Sequence, residues 1–455
     1  MSHLSPLAHA RAILVLGLPL IGSHLAQMAL HVTDTVLLGW YGVNELAAVV
    51  LATSAFFVIF ILGSGFAQAV MPLVASALGA GDETRVRRDA RMGLWLSIGF
   101  GGVSYPLFWW SKPLLMALGQ KPEVASLAQD FLRIGGLGMV PALLVMVLKS
   151  YLAALEKTQV VLWTTVLAVL VNGVLAYGLI FGHWGWPELG VQGAALASVT
   201  VQGLSFVVLA LYAHHQPDLQ RFHLFQRFWR ADAGALKSVF RLGWPIGLTG
   251  LAESALFTAT ALMMGWVGTV ELAAHGITME AVALTFMVHL GLSNAATVRA
   301  GKASGAGDTA ALREGAKVAI AMSVVFGLAM IALFLTLGTP IISLFLDSSK
   351  PGAAEILTFG VKLLAVAALF QMADAMQVMA LGLLRGIHDT KVPMIAATVS
   401  YWLIGIPAGY LLGFPFGMGG IGLWLGLVIG LAFAATLMMG RFWRRVGIQR
   451  NAPGS

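Results

Sequence analysis

The sequence predicts an all-α integral membrane protein with twelve transmembrane helices in two six-helix lobes. Three observations support this prediction: the composition, a series of long apolar stretches and an internal repeat. The chain has 455 residues, of which 58% are hydrophobic and only 10% charged, and its mean hydropathy is +0.86. In soluble domains roughly a quarter of the residues are charged. The composition alone therefore indicates that most of this chain lies inside a bilayer.

Twelve stretches are long and apolar enough to cross a membrane, which takes about 20 residues in a helix. The basic segment from His214 to Arg241 separates the first six from the last six. We therefore expect an N-terminal lobe over 1–213, a cytoplasmic linker over 214–241 and a C-terminal lobe over 242–455. The predicted spans are 12–38, 46–78, 93–116, 131–154, 160–182, 189–213, 242–267, 272–297, 316–346, 355–384, 393–414 and 418–440.

An internal repeat relates the two lobes. The segment Leu242–Ala274 matches Leu16–Ala48 at an offset of 226 positions (245 − 19), which aligns Pro245 with Pro19. A weaker match relates 152–160 to 384–392. Because each copy holds an even number of helices, both copies have the same orientation. This predicts a pseudo-two-fold axis along the membrane normal, a central cavity and alternating access between the lobes.

The basic residues predict the topology. The net charge is +7, and most of the 27 Lys and Arg residues fall in alternate loops, among them Arg85, Arg91, Lys149 and Arg385. By the positive-inside rule these loops and both termini are cytoplasmic, so we expect a multi-pass protein of the inner (plasma) membrane. Clusters this short between apolar runs do not indicate nucleic-acid binding. The absence of cysteine excludes disulfides and thiolate sites.

Four carboxylates fall within the predicted spans, where an ionisable group is costly and usually functional. They are Asp34, Glu253, Asp374 and, more tentatively, Glu280. Counted along the helices from loop markers, the last three lie near the midplane and Asp34 nearer the outer face. None has a charged counterpart in the other repeat, where the aligned residues are Thr260, Gln27, Ala142 and Ser54 respectively. A coupling site is needed only once, which favours a role in ion coupling or substrate binding.

The residues alone leave the chemistry of these carboxylates open. A buried pair of carboxyl groups can exchange protons near neutral pH. With additional oxygen ligands the pair Glu253 and Asp374 could instead bind Na⁺, the one metal site the sequence suggests, and either arrangement attracts organic cations. The structural alternatives are a helix-capping Asp34, a neutral hydrogen-bonded Glu253–Asp374 pair and a Glu280 in a hydrated vestibule.

Other polar and aromatic residues give weaker indications. Asn172 is a candidate hydrogen-bond partner of Asp34, Gln27 replaces Glu253 in the other repeat, and His275 is a candidate polar support that is more often structural than proton-carrying. Several large side chains could form an adaptable pocket or simply pack against neighbours or lipid. They are Phe257, Met263, Phe286, Met287, Phe370 and Met376.

Catalytic and nucleotide-binding motifs are weak. Residues 296–303 (ATVRAGKA) miss the P-loop at its first glycine and at its Ser/Thr. Residues 417–422 satisfy G-x-G-x-x-G, but they join two predicted membrane helices instead of following a strand. We therefore expect no enzymatic activity, no ATP site and no cofactor, and a H⁺ or Na⁺ gradient as the energy source.

The chain resembles the multidrug and toxic compound extrusion (MATE) family, and within it the NorM-like branch, from about residue 12 to residue 440. The resemblance lies in 31–39 (HVTDTVLLG), 252–254 (AES), 273–275 (AAH), 374–377 (DAMQ) and 384–390 (LRGIHDT). It implies export of organic cations and hydrophobic drugs in exchange for H⁺ or Na⁺. It also implies that Asp34, Glu253 and Asp374 are the coupling carboxylates.

Departures from the family pattern leave alternatives. Glu280 stands where NorM-like members more often carry a neutral residue, and Phe370 lacks a hydroxyl that some relatives offer to the ion. Ala176 replaces a carboxylate of the DinF-like branch. The alternative function is a lipid-linked oligosaccharide flippase of related architecture, which should have a basic cavity. We expect a monomer, because each chain encloses its own cavity.

Overall fold

A computed structural model describes residues 5–450, and every regular element in that range is helical. Both termini, whose cytoplasmic location is a prediction, lie outside the described residues. Twelve long helices follow one another along this part of the chain. They are α1 (Pro6–Tyr41), α2 (Val43–Gly79), α3 (Glu83–Trp109), α4 (Pro122–Ala154, with a 3₁₀ turn at Gly136–Gly138), α5 (Thr158–Phe181), α6 (Val191–His215), α7 (Ala233–Val267), α8 (Thr269–Gly305), α9 (Thr309–Thr336), α10 (Ala353–Gly386), α11 (Lys391–Gly413) and α12 (Gly419–Arg450).

Each predicted span overlaps one of these helices, although the spans 93–116 and 316–346 run beyond the ends of α3 at Trp109 and of α9 at Thr336. Eleven of them are long and apolar enough to cross a membrane. The remaining helix, α3, is less apolar because its first turns carry four arginines and its later turns contain tryptophan, tyrosine and glycine. Three short helices, Ser111–Ala117, Pro217–Gln220 and Gly338–Ser343, lie in the connections. The predicted all-α membrane fold is confirmed.

The two sequence copies use the same signals to end and restart a helix. After α2, Gly81 has φ +72°, and after α8 its repeat equivalent Gly307 has φ +70°. Glycine adopts this left-handed conformation without the strain that a side chain would add. Asp82 and Asp308 then cap the next helices by accepting hydrogen bonds from the backbone nitrogens of residues 85 and 311 at 2.9 Å. The repeat therefore extends to the local chemistry of the turns.

Close packing divides the described chain into two compact units. The N-terminal unit is Gly22–Leu248, and the C-terminal unit combines the described residues up to Ile21 with those from Thr249 onward. Both divisions fall inside a helix, three or four residues after the aligned prolines Pro19 and Pro245. Helices α1 and α7 each contribute one half to each unit. The packing units thus differ from the lobes 1–213 and 242–455, which remain a prediction based on the sequence repeat.

The linker between the repeats belongs to the N-terminal unit and packs against α3. Asp232 caps α7 by accepting a bond from the Ala235 nitrogen at 3.0 Å, which explains why α7 begins nine residues before the predicted span. Asp232 also pairs with Arg88 on α3, and this guanidinium holds the pKa of Asp232 down at about 2. Trp95 donates a hydrogen bond to the Phe228 carbonyl at 2.8 Å. The linker is therefore attached through polar contacts at the cytoplasmic end predicted for α3.

Glycines let α2 approach α7 closely inside the N-terminal unit. A Cβ placed on Gly65 would lie 2.3 Å from the Gly243 carbonyl oxygen and 2.4 Å from the Gly247 nitrogen. Contacts this short with backbone atoms cannot be relieved by rotating a side chain. A membrane helix interface gains its stability from such close packing, because lipid offers no hydrophobic drive between helices.

We expect Gly65→Ala to destabilise the protein by about 1–3 kcal/mol, because the added methyl group forces the two backbones apart. The measurement is the midpoint of thermal unfolding of purified protein in detergent. Gly99→Ala on α3 is the matched control, since its Cβ meets no atom within 4 Å. That control should be neutral or stabilising by up to about 1 kcal/mol through helix propensity. Equal effects of the two substitutions would contradict the packing argument.

Candidate functional site

Two acidic side chains come together inside the C-terminal unit, Glu253 from α7 and Asp374 from α10. Asp374 is buried, with 4% of its surface exposed, while Glu253 is partly exposed. The two carboxylates interact electrostatically. Gln377, one turn after Asp374, forms a side-chain hydrogen bond to Glu253 and donates another to the hydroxyl of Tyr401 on α11. Three helices thus supply one connected polar cluster, which we call the C-unit acidic cluster: Glu253, Asp374, Gln377 and Tyr401.

Two acceptor oxygens of this cluster have no donor. Asp374 Oδ1 and Gln377 Oε1 are buried, and no described residue donates a hydrogen bond to either of them. Leaving a buried acceptor unpaired costs about 1–3 kcal/mol, and more for a charged group. A proton or a hard cation would satisfy both oxygens, because oxygen-only ligand sets suit such ions. Among residues 5–450 no group of three or more His, Cys, Asp or Glu forms a metal site.

A basic side chain approaches the same cluster. Arg385, which the sequence analysis assigned to a loop, lies in the last turn of α10 and interacts electrostatically with Glu253 and Tyr401. That assignment was wrong because the helix continues to Gly386. The guanidinium supplies a fixed positive charge, so one of the two negative charges can be balanced within the protein. The second must be balanced by a mobile cation or removed by protonation.

A π-helical turn places Tyr401. Residues Ser400–Gly405 of α11 form this wider turn, and Tyr401 is fully buried beside Gln377. Single π turns inside α-helices often occur at functional sites, since they displace one side chain from the regular helical spacing. On the neighbouring helix α12, Gly426 and Gly430 allow the backbone of this turn to approach closely.

An aromatic layer forms around Phe370, which lies one turn before Asp374 on α10. His275 accepts a hydrogen bond from the indole nitrogen of Trp424 at 3.0 Å, and both are buried. Trp424 contacts Phe370 edge to face with 5.2 Å between centroids, and Phe370 contacts Phe257 at 6.0 Å. Phe370 and Met263 are buried, whereas Phe257, Phe286, Met287 and Met376 are partly exposed. Only the partly exposed members present a surface to a ligand in this structure, and the pocket remains a prediction.

Asp34 has its own partners in the N-terminal unit. Asn172 of α5 donates a hydrogen bond to Asp34 Oδ1 at 2.6 Å, the contact the sequence suggested, and Ser198 of α6 donates to Oδ2 at 3.4 Å. Asn172 is fully buried, and its own Oδ1 has no donor among the described residues. The Asp34 site therefore also contains a buried oxygen, Asn172 Oδ1, that accepts no hydrogen bond from the described residues.

Glu280 lies apart from these groups. Its side chain is exposed and forms no hydrogen bond or ion pair with any described residue. It is not held in the C-unit acidic cluster, and its tentative role as a further cation or proton site remains a prediction without a contact to support it.

Lys149 was also wrongly assigned to a loop. It lies within α4, five residues before that helix ends at Ala154, and its Nζ is 3.4 Å from Gln27 Oε1 on α1. Several polar residues inside the spanning helices were therefore not predicted as site residues. Some had a usable signal: Gln377 and Arg385 follow Asp374 by three and eleven residues, which places them on the same helix face.

Comparison with known proteins identifies the family. The MatE family profile matches residues 19–178 and 245–411, one segment in each sequence repeat. The chain belongs to the MatE family. It is 45% identical to a probable multidrug resistance protein NorM of Rhizobium meliloti over 98% of this chain and 96% of the relative. A protein of the same name from Agrobacterium fabrum is 44% identical over 96% and 94%. The resemblance stated from the sequence is thus confirmed.

Solved structures share the fold. A MATE crystal structure in complex with MaL6 superposes with a TM-score of 0.89 at 22% identity and covers 98% of both chains. An outward-facing multidrug resistance MATE family transporter of the MOP superfamily superposes with a TM-score of 0.88 at 22% identity, over 98% of this chain and 97% of that one. These likenesses establish the MatE family fold for this chain.

We expect Asp374→Asn to raise the stability of this MatE protein at pH 8. The amide removes one of two neighbouring negative charges and supplies a donor to the cluster, which is worth about 1 kcal/mol or roughly 2 °C in the unfolding midpoint. At pH 5 the gain should shrink, because protons from solution relieve the same repulsion in the wild type.

Thermal unfolding in detergent at both pH values measures this effect, with Glu280→Gln as the control. Glu280 is exposed and has no hydrogen-bond or ion-pair partner among residues 5–450, so its substitution should leave the midpoint unchanged at both pH values. A destabilisation by Asp374→Asn of the same size at pH 5 and pH 8 would contradict the interpretation.

Proposed function

We propose that this MatE protein is an antiporter that exports organic cations and hydrophobic drugs from the cytoplasm in exchange for H⁺ or Na⁺. The observation that carries the proposal is the C-unit acidic cluster, in which Asp374 Oδ1 and Gln377 Oε1 are buried acceptors with no donor in the described part of the chain. Its relatives are named as multidrug resistance proteins, which supports a drug substrate. No cofactor beyond the coupling ion is required.

In the proposed mechanism, the coupling ion and the substrate compete for the negative charge of the C-unit acidic cluster. Arg385 balances one carboxylate, so the cluster has about one negative charge left for a cation. An organic cation from the cytoplasm can take that place. After the change to the outward-facing state, H⁺ or Na⁺ binds the cluster and the substrate leaves, since two cations repel each other there. The ion is released to the cytoplasm when the protein returns.

The gradient of the coupling ion supplies enough free energy to drive this exchange. A ligand shifts a conformational equilibrium only by its difference in affinity for the two states, and coupling free energies between ligands are typically 1–3 kcal/mol. A charge that crosses a potential of 100 mV yields about 2.3 kcal/mol, so export of an uncharged drug for one H⁺ or Na⁺ can sustain roughly a fifty-fold concentration gradient, at about 1.4 kcal/mol per factor of ten. Export of a monovalent cation for one such ion moves no net charge, so the concentration gradient of the coupling ion alone drives it.

Asp34 is proposed as a second cation site. It lies in the N-terminal unit with its own donors, Asn172 and Ser198, and so can load or release a cation independently of the C-unit acidic cluster. We further propose that the protein acts as a monomer in the inner (plasma) membrane with both termini in the cytoplasm. Partners other than small organic molecules and the lipid bilayer, such as ATP or nucleic acid, are not part of the proposal.

One observation favours the flippase alternative and another argues against it. Lys149 and Arg385 lie inside spanning helices, so the interior is less exclusively acidic than the sequence suggested. However, Arg385 is engaged by Glu253, and a pyrophosphate-linked lipid would need several adjacent free cations. Transport of a lipid-linked oligosaccharide, and not of organic cations, would support this alternative.

We expect Glu253→Gln and Asp374→Asn to reduce drug export by about tenfold or more, because each removes a charge for which ion and substrate compete. The measurement is uptake of a fluorescent organic cation into inverted vesicles under an imposed H⁺ or Na⁺ gradient. Glu355→Gln is the control, since Glu355 is exposed in the first turn of the same helix as Asp374. Export at the wild-type rate by normally expressed Glu253→Gln and Asp374→Asn variants would contradict the proposal.

A further inference from the structure

Residues 221–230 of the linker combine basic and aromatic side chains in the sequence RFHLFQRFWR. Trp229 has 78% of its surface exposed, and Arg227 and Arg230 near it are exposed as well. Phe222, in contrast, is buried and attaches the segment to the N-terminal unit. Exposed tryptophan next to arginine is typical of a surface that lies at the boundary between membrane and water.

Contacts with α3 fix the level of this segment. Arg91 and Trp95 of α3 donate hydrogen bonds of 2.8–3.1 Å to the carbonyl oxygens of residues 226–228. The predicted span of this helix begins at residue 93, between the two donors. The linker backbone therefore lies close to the level at which α3 enters the membrane. The exposed indole of Trp229, which directly follows these residues, is placed at the interface of the leaflet that we predict to be cytoplasmic.

Four arginines come together at the same level. Arg87 and Arg88 of α3 and Arg230 of the linker all act electrostatically on Arg91. We call these four residues the linker arginine cluster. Like charges repel, so a protein gathers four guanidinium groups at one place only with negative charge to balance them.

The nearby carboxylates balance only one member of the linker arginine cluster. Asp232 pairs with Arg88, whereas Asp89 is paired with Arg85, outside the cluster, at 3.4 Å. The other three members form no ion pair with any carboxylate in residues 5–450. The cluster thus keeps an excess of positive charge.

Arg91 distinguishes the cluster from an ordinary solvated surface. Only 6% of this residue is exposed, because its Nη1 is directed to the linker carbonyl oxygens. Its Nε is also buried and has no acceptor within the described chain. A buried donor without an acceptor is costly, and guanidinium groups bind phosphate oxygens well. A phosphate group at the cluster would supply both an acceptor and the missing negative charge.

The fold does not require this excess of charge. At the repeat offset of 226, positions 88 and 91 of the cluster correspond to Glu314 and Lys317 of α9. Lys317 donates to Glu314 at 2.8 Å, so the second copy balances its own charges. A cluster needed only to begin the helix would be expected in both copies.

We propose that the linker arginine cluster binds the phosphate of an anionic phospholipid, with Trp229 packed beside the headgroup. A zwitterionic phospholipid offers the same phosphate but brings an ammonium group, which the arginines repel. Inorganic phosphate also offers the same oxygens, but the exposed Trp229 at the membrane boundary favours a lipid. The inference is independent of the export function, because it assigns the linker the role of an anchor at the membrane interface.

The test counts lipids bound to the purified full-length protein by native mass spectrometry, with phosphatidylglycerol or phosphatidylcholine added in detergent. The double variant Arg87→Gln/Arg230→Gln should bind phosphatidylglycerol about tenfold more weakly or worse, because each basic residue near an anionic headgroup contributes roughly fivefold. Trp229→Ser should weaken the same binding about threefold through the lost interfacial contact. Phosphatidylcholine should bind the wild type more weakly and respond little to the arginine substitutions.

Two controls make the result specific. The thermal unfolding midpoint in lipid-free detergent should be unchanged in Arg87→Gln/Arg230→Gln, since neither side chain forms a hydrogen bond or ion pair within residues 5–450. Arg313→Gln/Arg444→Gln removes two arginines from the C-terminal unit and should leave phosphatidylglycerol binding unchanged.

Three results would overturn the lipid site. They are wild-type phosphatidylglycerol binding by Arg87→Gln/Arg230→Gln, an equal loss in the two double variants, and an equal loss of both lipids. Displacement of phosphatidylglycerol by an equal concentration of inorganic phosphate would identify a free anion as the ligand and would also contradict the proposal. Drug export is not the readout, so each of these results leaves the proposed function to its own test.

Discussion

The cost of placing a charge in a bilayer governs this structure. Every ionisable group in the twelve spanning helices must be paired, hydrated or neutralised, and the chain meets this requirement differently in its two units. The C-terminal unit sets Arg385 against Glu253 and leaves Asp374 with an unfilled oxygen. The N-terminal unit holds Asp34 with neutral donors and Lys149 with a neutral acceptor. A mobile cation or a substrate can bind where one of these charges is left unbalanced.

The backbone provides rigid supports for these groups. Repeated glycine and aspartate signals end α2 and α8 and begin α3 and α9 at equivalent positions. The prolines of α1 and α7 lie next to the points where each helix passes from one packing unit to the other. Glu253 thus belongs to the second half of α7, and Gln27 and Asp34 to the second half of α1. Two of the key charges, Asp34 and Glu253, therefore lie on the helices that pass from one unit to the other.

Much of this could be predicted from the sequence. Long apolar runs, the repeat and the positive-inside pattern predicted all twelve helices, because a spanning segment must be apolar throughout. Depth and lack of repeat symmetry selected Glu253, Asp374, Asp34 and Glu280, and of these four the structure brings Glu253 and Asp374 together while Glu280 lies exposed. Tyr401 could not be found, since a π turn and a contact between helices place it beside Gln377. Arg385 was misplaced because the predicted span 355–384 ended one residue before it, whereas Lys149 fell inside the predicted span 131–154 and was counted with the loop residues only because it is basic.

The most direct test of the central claim is whether an organic cation displaces the coupling ion. Purified protein in weakly buffered detergent solution is titrated with the cation while released H⁺ is recorded, and the titration is repeated at several Na⁺ concentrations. We expect either a proton release that Asp374→Asn abolishes, or a weakening of cation binding by Na⁺ that the same substitution removes. Tight cation binding with neither proton release nor Na⁺ competition would contradict it.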